Sequence, residues 1–344
     1  MNARDGETGS PAFFIGDVAL DEYYTADRWP GLGDKVMVEP RPAQAGGMIA
    51  NAASVHAALG GATEFISLLN TGEITQRLQA DLEAGGVRVG HMLFDAKMPD
   101  SKTMIVLVGD EHAVLIPELG DAPMILPDRT FRELCQEGYL YSSIWRVKRL
   151  RTQGRDALAV LDAIRTAGRR LILDLDVDGF TEADLPFVSH AHVVIVNDRG
   201  FRRSFDDREP HVIQMWLQTR DIDMLVVTHG ADGLTAFVGN DQIEIAGLKV
   251  PVVDVTGAGD TFGGALTFAL GRGADLKTAL SFANSAAAYA VTRFGPRGGV
   301  APVGTVLDFM ETHDVPGHRA AREQLEESGL SDDDRHGQSS TKPL

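Results

Sequence analysis

The chain has 344 residues, with 32 Lys and Arg against 49 Asp and Glu and a formal net charge of −17. Hydrophobic residues make up 44% and charged residues 24%, a globular composition sized for one large domain or two smaller ones. So acidic a chain is a poor ligand for duplex nucleic acid, and no run of about 18 apolar residues is present to cross a membrane. The single cysteine, Cys135, excludes an internal disulfide and a cysteine-built metal cage. With a polar opening that lacks a secretory h-region, these features predict a cytoplasmic protein.

Met1 to Ser10 reads as a disordered lead to a body spanning residues 11–316. Phe13-Phe14-Ile15 with Val18 reads as a first strand, and Met48 to Leu59, Ala-rich and closed by Gly60-Gly61, as a helix. Glu64 to Leu69 reads as a strand and Glu73 to Glu83 as a helix. Thr103 to Val108 and Ala113 to Ile116 suggest a hairpin about Gly109-Asp110. Thr130 to Gln136 reads as helical and Tyr139 to Ser143 as extended. Arg155 to Thr166 places Ala157, Leu161 and Ile164 on one helix side before Gly168. Leu171 to Leu175, Val193 to Val196 and Met224 to Val227 have the composition of buried strands.

This alternation predicts an α/β fold with a mainly parallel sheet. Ligands in such folds sit beyond the strand carboxyl ends, just after Ile195-Val196 and Val226-Val227. Asp34 to Ala43 and Thr103 to Ile116 lack helical crossovers. They read as a small accessory sheet, with an antiparallel edge on the main sheet as the alternative. From Pro316 the apolar periodicity fades, and residues 317–344 read as a polar, disordered tail. The alternative there is a short helix over Arg319 to Glu327.

The most informative run is Asp254-Val255-Thr256-Gly257-Ala258-Gly259-Asp260-Thr261-Phe262, after an extended segment at Val250 to Val253 and ahead of a helix reaching about Leu270. Gly257 and Gly259 bracket a turn at a helix N-terminus, where free N–H groups and the helix dipole favour an anion. Asp260 in the first turn suits the deprotonation of a hydroxyl beside that anion, the geometry of phosphoryl transfer. A glycine-rich turn with Asp260 as a plain helix-start residue fits the residues equally well. No Walker-type loop and no G-x-G-x-x-G run is present.

The Asp254 to Phe262 run resembles the second signature of the ribokinase-like (PfkB) sugar kinases. Gly46-Gly47-Met48-Ile49-Ala50-Asn51 resembles the first. Ile15 to Asp21, Val227 to Gly233 and Ala290 to Gly295 resemble the family's opening strand, nucleotide loop and closing segment, in the family's order across about residues 12–312. The resemblance implies a three-layer α/β/α sandwich with a mainly parallel sheet and a small β-sheet lid, built from parts of 22–45 and 97–121. It implies ATP and Mg2+, with K+ as a further candidate, and a homodimer through the lid. Asp260 becomes the base, and Gly257, Ala258 and Gly259 the anion hole. Asp21, Gly46, Gly47 and Asn51 become the sugar contacts, and Asn197, Thr228, Gly230, Gly233 and Asn284 the nucleotide contacts. Asp254 and Thr256 resemble the monovalent-cation loop.

Two features stand apart from the family pattern. Where the family often has Asn-x-x-Glu, this chain has Asn197-Asp198-Arg199-Gly200, which removes a carboxylate associated with Mg2+. Arg146, Lys148, Arg149 and Arg151 form a basic cluster after the Tyr139 to Ser143 strand, and Arg146 is a candidate reader of an anionic group on the sugar. A solvated helix start is the alternative for it. Arg293 and Arg297 are a second candidate anion site, which the resemblance puts nearer the cation and the nucleotide. The expected activity is ATP-dependent phosphorylation of a sugar hydroxyl. A nucleoside kinase and a non-catalytic sensor on the same fold are the alternatives.

Overall fold

The computed structural model describes residues 10–109, 111–117, 120–206 and 208–326. The readings made for Met1 to Gly9 and for the chain from 327 onward lie outside the described residues. In chain order, β1 (Ala12–Ile15), β2 (Ala19–Ala26), β3 (Val38–Pro40) and β4 (Gln44–Gly46) precede α1 (Met48–Ala58). Next come β5 (Thr63–Ile66), β6 (Leu68–Leu69), α2 (Glu73–Ala84), β7 (Leu93–Phe94), β8 (Lys102–Val108) and β9 (Glu111–Leu115). They are followed by β10 (Met124–Ile125), α3 (Asp128–Leu134), β11 (Gly138–Ser143), α4 (Ile144–Val147), β12 (Leu150–Arg151) and α5 (Ala157–Thr166). Then come β13 (Arg169–Asp174), α6 (Leu185–Val188), β14 (Val193–Asn197), α7 (Asp198–Phe205), α8 (Pro210–Gln218) and β15 (Met224–Thr228). The last are β16 (Gly233–Val238), β17 (Asp241–Ala246), α9 (Ala258–Gly271), α10 (Leu276–Ala290), α11 (Val303–Thr312) and α12 (His318–Leu325).

The main sheet has the order β17-β16-β15-β14-β13-β11-β1-β5. β5 through β15 in that order run parallel, and β16 and β17 add an antiparallel edge. A strand buried on both faces must be apolar at every position, and alternate residues serve opposite layers. In β14, Val193 and Ile195 join the layer that holds Ile49, Leu266, Phe282 and Val306 from α1, α9, α10 and α11. Val194 and Val196 join the layer that holds Leu134, Leu161, Phe205 and Leu217 from α3, α5, α7 and α8. The result is a three-layer α/β/α sandwich.

A second sheet has the order β3-β2-β8-β9, with β4 also on β2. Here β8 is antiparallel to β9 and parallel to β2. The segments without helical crossovers therefore form a separate sheet, while the antiparallel edge of the main sheet comes from β16 and β17.

Some sequence expectations differ from the structure: Glu64 to Leu69 is not one strand but two, β5 in the main sheet and β6 paired with β7. Val18 lies outside β1, which ends at Ile15 ahead of Gly16; a Cβ on Gly16 would stand 2.1 Å from the Ile49 side chain. Val250 to Val253 joins no strand, and all but the first of the four are exposed. At the predicted tail, the described residues take up the alternative of a short helix. Residues 318–325 form α12, which buries Ala321 and Leu325 in the layer shared with Val306 and Met310. Two apolar contacts on one face of a charged helix suffice to dock it, and they were too few to show as periodicity. Among the described residues, no helix is long and apolar enough to cross a membrane.

Candidate active site

Gly257 precedes α9 in the left-handed conformation, at φ 76°. A Cβ there would stand 2.0 Å from the Pro296 carbonyl oxygen, so the turn needs glycine on both counts. Of the first N–H groups, Ala258 donates to the Val255 carbonyl at 3.3 Å and Thr261 to the Gly257 carbonyl at 2.9 Å. Those of Gly259 and Asp260 meet no acceptor among the described residues. A Cβ on Gly259 would touch nothing within 4 Å, so the space before these donors is open. The helix start can thus receive an anion, mainly through positions 259 and 260, while the Ala258 donor is engaged in the turn.

Asp260 Oδ2 accepts from Asn51 Nδ2 at 2.8 Å. Burial pushes the Asp260 carboxyl up to about 7; the Asn51 bond holds it down, and the charges of Asp174, Asp176 and Asp21 push it up. A carboxylate poised near neutrality suits a general base. Asn51 stands in the first turn of α1, which starts after Gly47 at φ 101°, where a Cβ would stand 2.6 Å from the Asp17 carbonyl oxygen. Gly46 lies against Asp21, since a Cβ there would come within 1.9 Å of Asp21 Oδ2. Burial raises the Asp21 carboxyl to about 6, with a Thr103 hydrogen bond and the Arg297 charge acting against it. Thr103 is the β8 residue paired with Asp21 on β2. Asp260 and Asn51 are joined directly, and Gly46 seats Asp21 close by, so the predicted acceptor side is one cluster.

Asn197 and Thr228 are register partners at the carboxyl ends of β14 and β15. The Asn197 carboxamide oxygen caps α7 by accepting from the N–H groups of Arg199 and Gly200, each at 3.0 Å, and its Nδ2 donates to Asp176 Oδ1 at 3.0 Å. Gly230 at φ 57° faces open space, whereas Gly233 backs onto β17, with a virtual Cβ 2.0 Å from the Ile245 carbonyl oxygen. His229 lies between Asp198 at 2.7 Å and Thr235 at 2.9 Å, joining the loop after β15 to α7. Asn284 Nδ2 donates to the Ala246 carbonyl at 3.0 Å, which ties α10 to β17. Asp254 accepts from the N–H groups of Thr256 and Gly295, both at 2.9 Å, so the two residues expected in the cation loop stand together beside the closing segment.

Arg146 finds a carboxylate partner within the protein. It is mostly buried and pairs with Asp17. Burial lowers it to about 10, and its Nε has no partner among the described residues. Lys148 pairs with Asp184, Arg149 donates to the Ala122 carbonyl, and Arg151 to the Lys148 and Leu150 carbonyls. The basic cluster is tied internally, and the buried Arg146 Nε and Arg149 Nη2 keep no hydrogen-bond partner among the described residues.

The structure also brings in residues the sequence did not single out. The fully buried Tyr141 donates to Asp174 Oδ2 at 2.5 Å, and its hydroxyl lies against Gly263 of α9. Burial raises the Tyr141 hydroxyl well above its ordinary value and the Asp174 carboxyl to about 6. Asp174 and Asp176 stand at the carboxyl end of β13, where the strand-end rule applied to β14 and β15 finds them too. Gly200 has no room for a side chain: a Cβ would stand 2.1 Å from the Asp176 carbonyl oxygen. Arg297 donates from Nε to Asn51 Oδ1 at 3.2 Å and pairs with Asp81 of α2, so it belongs to the acceptor side.

A raised carboxyl beside helix-start donors, near the strand ends of an open α/β sheet, is an arrangement that can serve group transfer. The pfkB family carbohydrate kinase model matches residues 15–302, and the chain belongs to that family. It is 24% identical to the ribokinase of Bacillus subtilis over 306 residues, which cover 83% of this chain and 94% of that protein. It is 28% identical to the bifunctional protein HldE of Nitrobacter winogradskyi over 356 residues, covering 97% of this chain and 69% of that one. Its fold is similar to that of the Arabidopsis thaliana ribokinase complexed with ribose and ATP. The TM-score is 0.76 at 22% identity, covering 88% of this chain and 99% of that one.

Proposed function

We propose that this kinase transfers a phosphoryl group from ATP to a hydroxyl of a sugar or sugar derivative, with Asp260 as the base. The observation that carries this reading is the placement of Asp260: its carboxyl is raised to about 7 and held by Asn51, one residue from the open donor of Gly259. The acceptor hydroxyl gives its proton to Asp260 as it attacks. The N–H groups at 259 and 260 receive the charge that develops on the transferred group. Asp21 and the backbone about Gly46 and Gly47 hold the other hydroxyls. The loops after β14 and β15 take the nucleotide, in keeping with the ATP-bound fold relative.

Mg2+ would neutralise charge on the triphosphate, and it needs only one or two protein carboxylates because it keeps water and phosphate ligands. The donor set fits this: Asp176 offers a strand-end carboxylate, while Gly200 offers none. The sheet that carries Asp21 and Gly46 would act as a lid that excludes water on closing. A homodimer through that sheet would cover the exposed Val114, Leu115 and Ile116.

Both arginines nearest the acceptor cluster are already paired, Arg146 with Asp17 and Arg297 with Asp81. With their charges neutralised by carboxylates, the two guanidiniums favour an uncharged polyol over an acidic or sulfonated sugar, and the buried Arg146 Nε and Arg297 Nη2 are left to donate to its hydroxyls. The test is ADP release with ATP over a panel of neutral sugars, sugar acids and nucleosides, run beside Asp260→Asn. Turnover on neutral sugars that is lost in the variant is expected. Full turnover in Asp260→Asn, or none on any acceptor, would overturn the reading.

A further inference from the structure

The segment after α10 is clamped onto the start of α9. The Pro296 carbonyl lies against Gly257, Gly299 against the Thr261 hydroxyl, and the Gly295 N–H donates to Asp254. From this clamp Arg297 reaches away from the expected cation loop to the acceptor side. It pairs with Asp81 on α2 and donates from Nε to Asn51 Oδ1, with its side chain mostly buried.

A guanidinium can only donate, so the carboxamide atom facing it must be the oxygen. Asn51 therefore turns its Nδ2 the other way, onto Asp260 Oδ2. The two ends of a carboxamide are nearly equal in size, and only their hydrogen-bond partners choose between them. Turned over, Asn51 would set its oxygen against a carboxylate oxygen and withdraw the donor that favours the ionised base.

We propose that Arg297 is a positioning residue for Asp260: anchored on Asp81, it fixes the Asn51 carboxamide so that its N–H holds the base. This rests on the reading of Asp260 as the base. The other charged groups around Asp260 are Asp21 from β2 and Asp174 and Asp176 from the end of β13, with Tyr141 of β11 bound to Asp174. Arg297 acts on Asp21 through its charge as well, so a test must separate charge from carboxamide orientation.

The experiment is a pH titration of 13Cγ-aspartate signals in the full, unliganded chain, with the Asp260 signal identified by its loss in Asp260→Asn. In Arg297→Met the Asp260 midpoint is expected to rise by about one pH unit, a tenfold gain in proton affinity. In an Asn51→Ala background the same substitution should add no further rise, because the two act as one unit. Asp81→Asn, which frees the guanidinium, should move the midpoint in the same direction by less. An unchanged midpoint in Arg297→Met overturns the proposal, as does an equal rise with and without Asn51, which would mean that the arginine acts by charge alone. Should Arg297→Met fail to fold, Asp81→Asn decides: a rise supports the proposal and no rise overturns it. The titration needs no turnover, so failure here is distinct from failure of the base assignment, which ADP release in Asp260→Asn judges.

Discussion

Gly200 stands where the family often carries a glutamate, and the structure says what restoring it would do. A Cβ at 200 would stand 2.1 Å from the Asp176 carbonyl oxygen and 3.3 Å from the Gly179 amide nitrogen. An ordinary C···O contact is about 3.3 Å, so something must move by roughly 1 Å. Every nearby atom is backbone, and it is already constrained. Asp176 sits at φ 44°, its N–H donates to Asp174 Oδ1 at 3.0 Å, and its carboxylate accepts from Asn197. Overpacking of this kind typically costs about 1–3 kcal/mol, and an unyielding backbone puts Gly200→Ala toward the upper end. At about 1.4 °C per kcal/mol for 344 residues, the melting temperature should fall by roughly 3–4 °C. Gly200→Glu carries the same Cβ and should melt at least as early, with ADP release reduced because Asn197 and Asp176 are displaced. Thermal melts of both variants alongside ADP release make the measurement. If Gly200→Glu melted with the parent and turned over faster, the argument from lack of room would be refuted.

Turnover should rise with pH through about 7, since Asp260 must be ionised to act as base and its carboxyl is raised to about 7; at pH 6 roughly a tenth of the plateau should remain. Asp260→Asn should lower kcat by about 100- to 10,000-fold and remove this acid limb from a pH–rate profile. Because the folded state keeps the Asp260 proton to higher pH than the unfolded chain, stability from this group falls as pH rises from about 4 to about 7. Melts at pH 8 should therefore show Asp260→Asn more stable than the parent. Tyr141→Phe leaves the buried Asp174 without its hydroxyl donor and should destabilise the fold by about 1–3 kcal/mol, read from urea unfolding. Gly46→Ala must displace the Asp21 carboxylate, so acceptor KM should rise about tenfold or more while ATP KM stays unchanged in steady-state kinetics.

The acceptor side was legible because its residues cluster in two short runs. Gly46-Gly47 with Asn51, and Gly257 to Asp260, carry their backbone requirements in the glycines themselves. Nothing local to Arg297 says that it reaches Asn51, because that contact spans 246 positions and depends on how the loop after α10 folds back. For a related reason the basic cluster does not show in the sequence that Asp17 pairs with Arg146. Asp174 and Asp176 needed only the strand-end rule applied one strand earlier. The parallel strands were visible as apolar runs, whereas β17 alternates exposed and half-buried residues at the sheet edge and gave no such run.

Asn51 and Asp260 lie 209 residues apart, on two helices that pack along each other. During synthesis at about 5–20 residues per second, Asn51 emerges roughly 10–40 s before its partner. Throughout that interval Asn51 lacks the carboxylate it later holds, and the alanine-rich side of α1 lacks the cover that α9 later provides. The protein thus acquires its reactive centre late, when most of its sheet already exists.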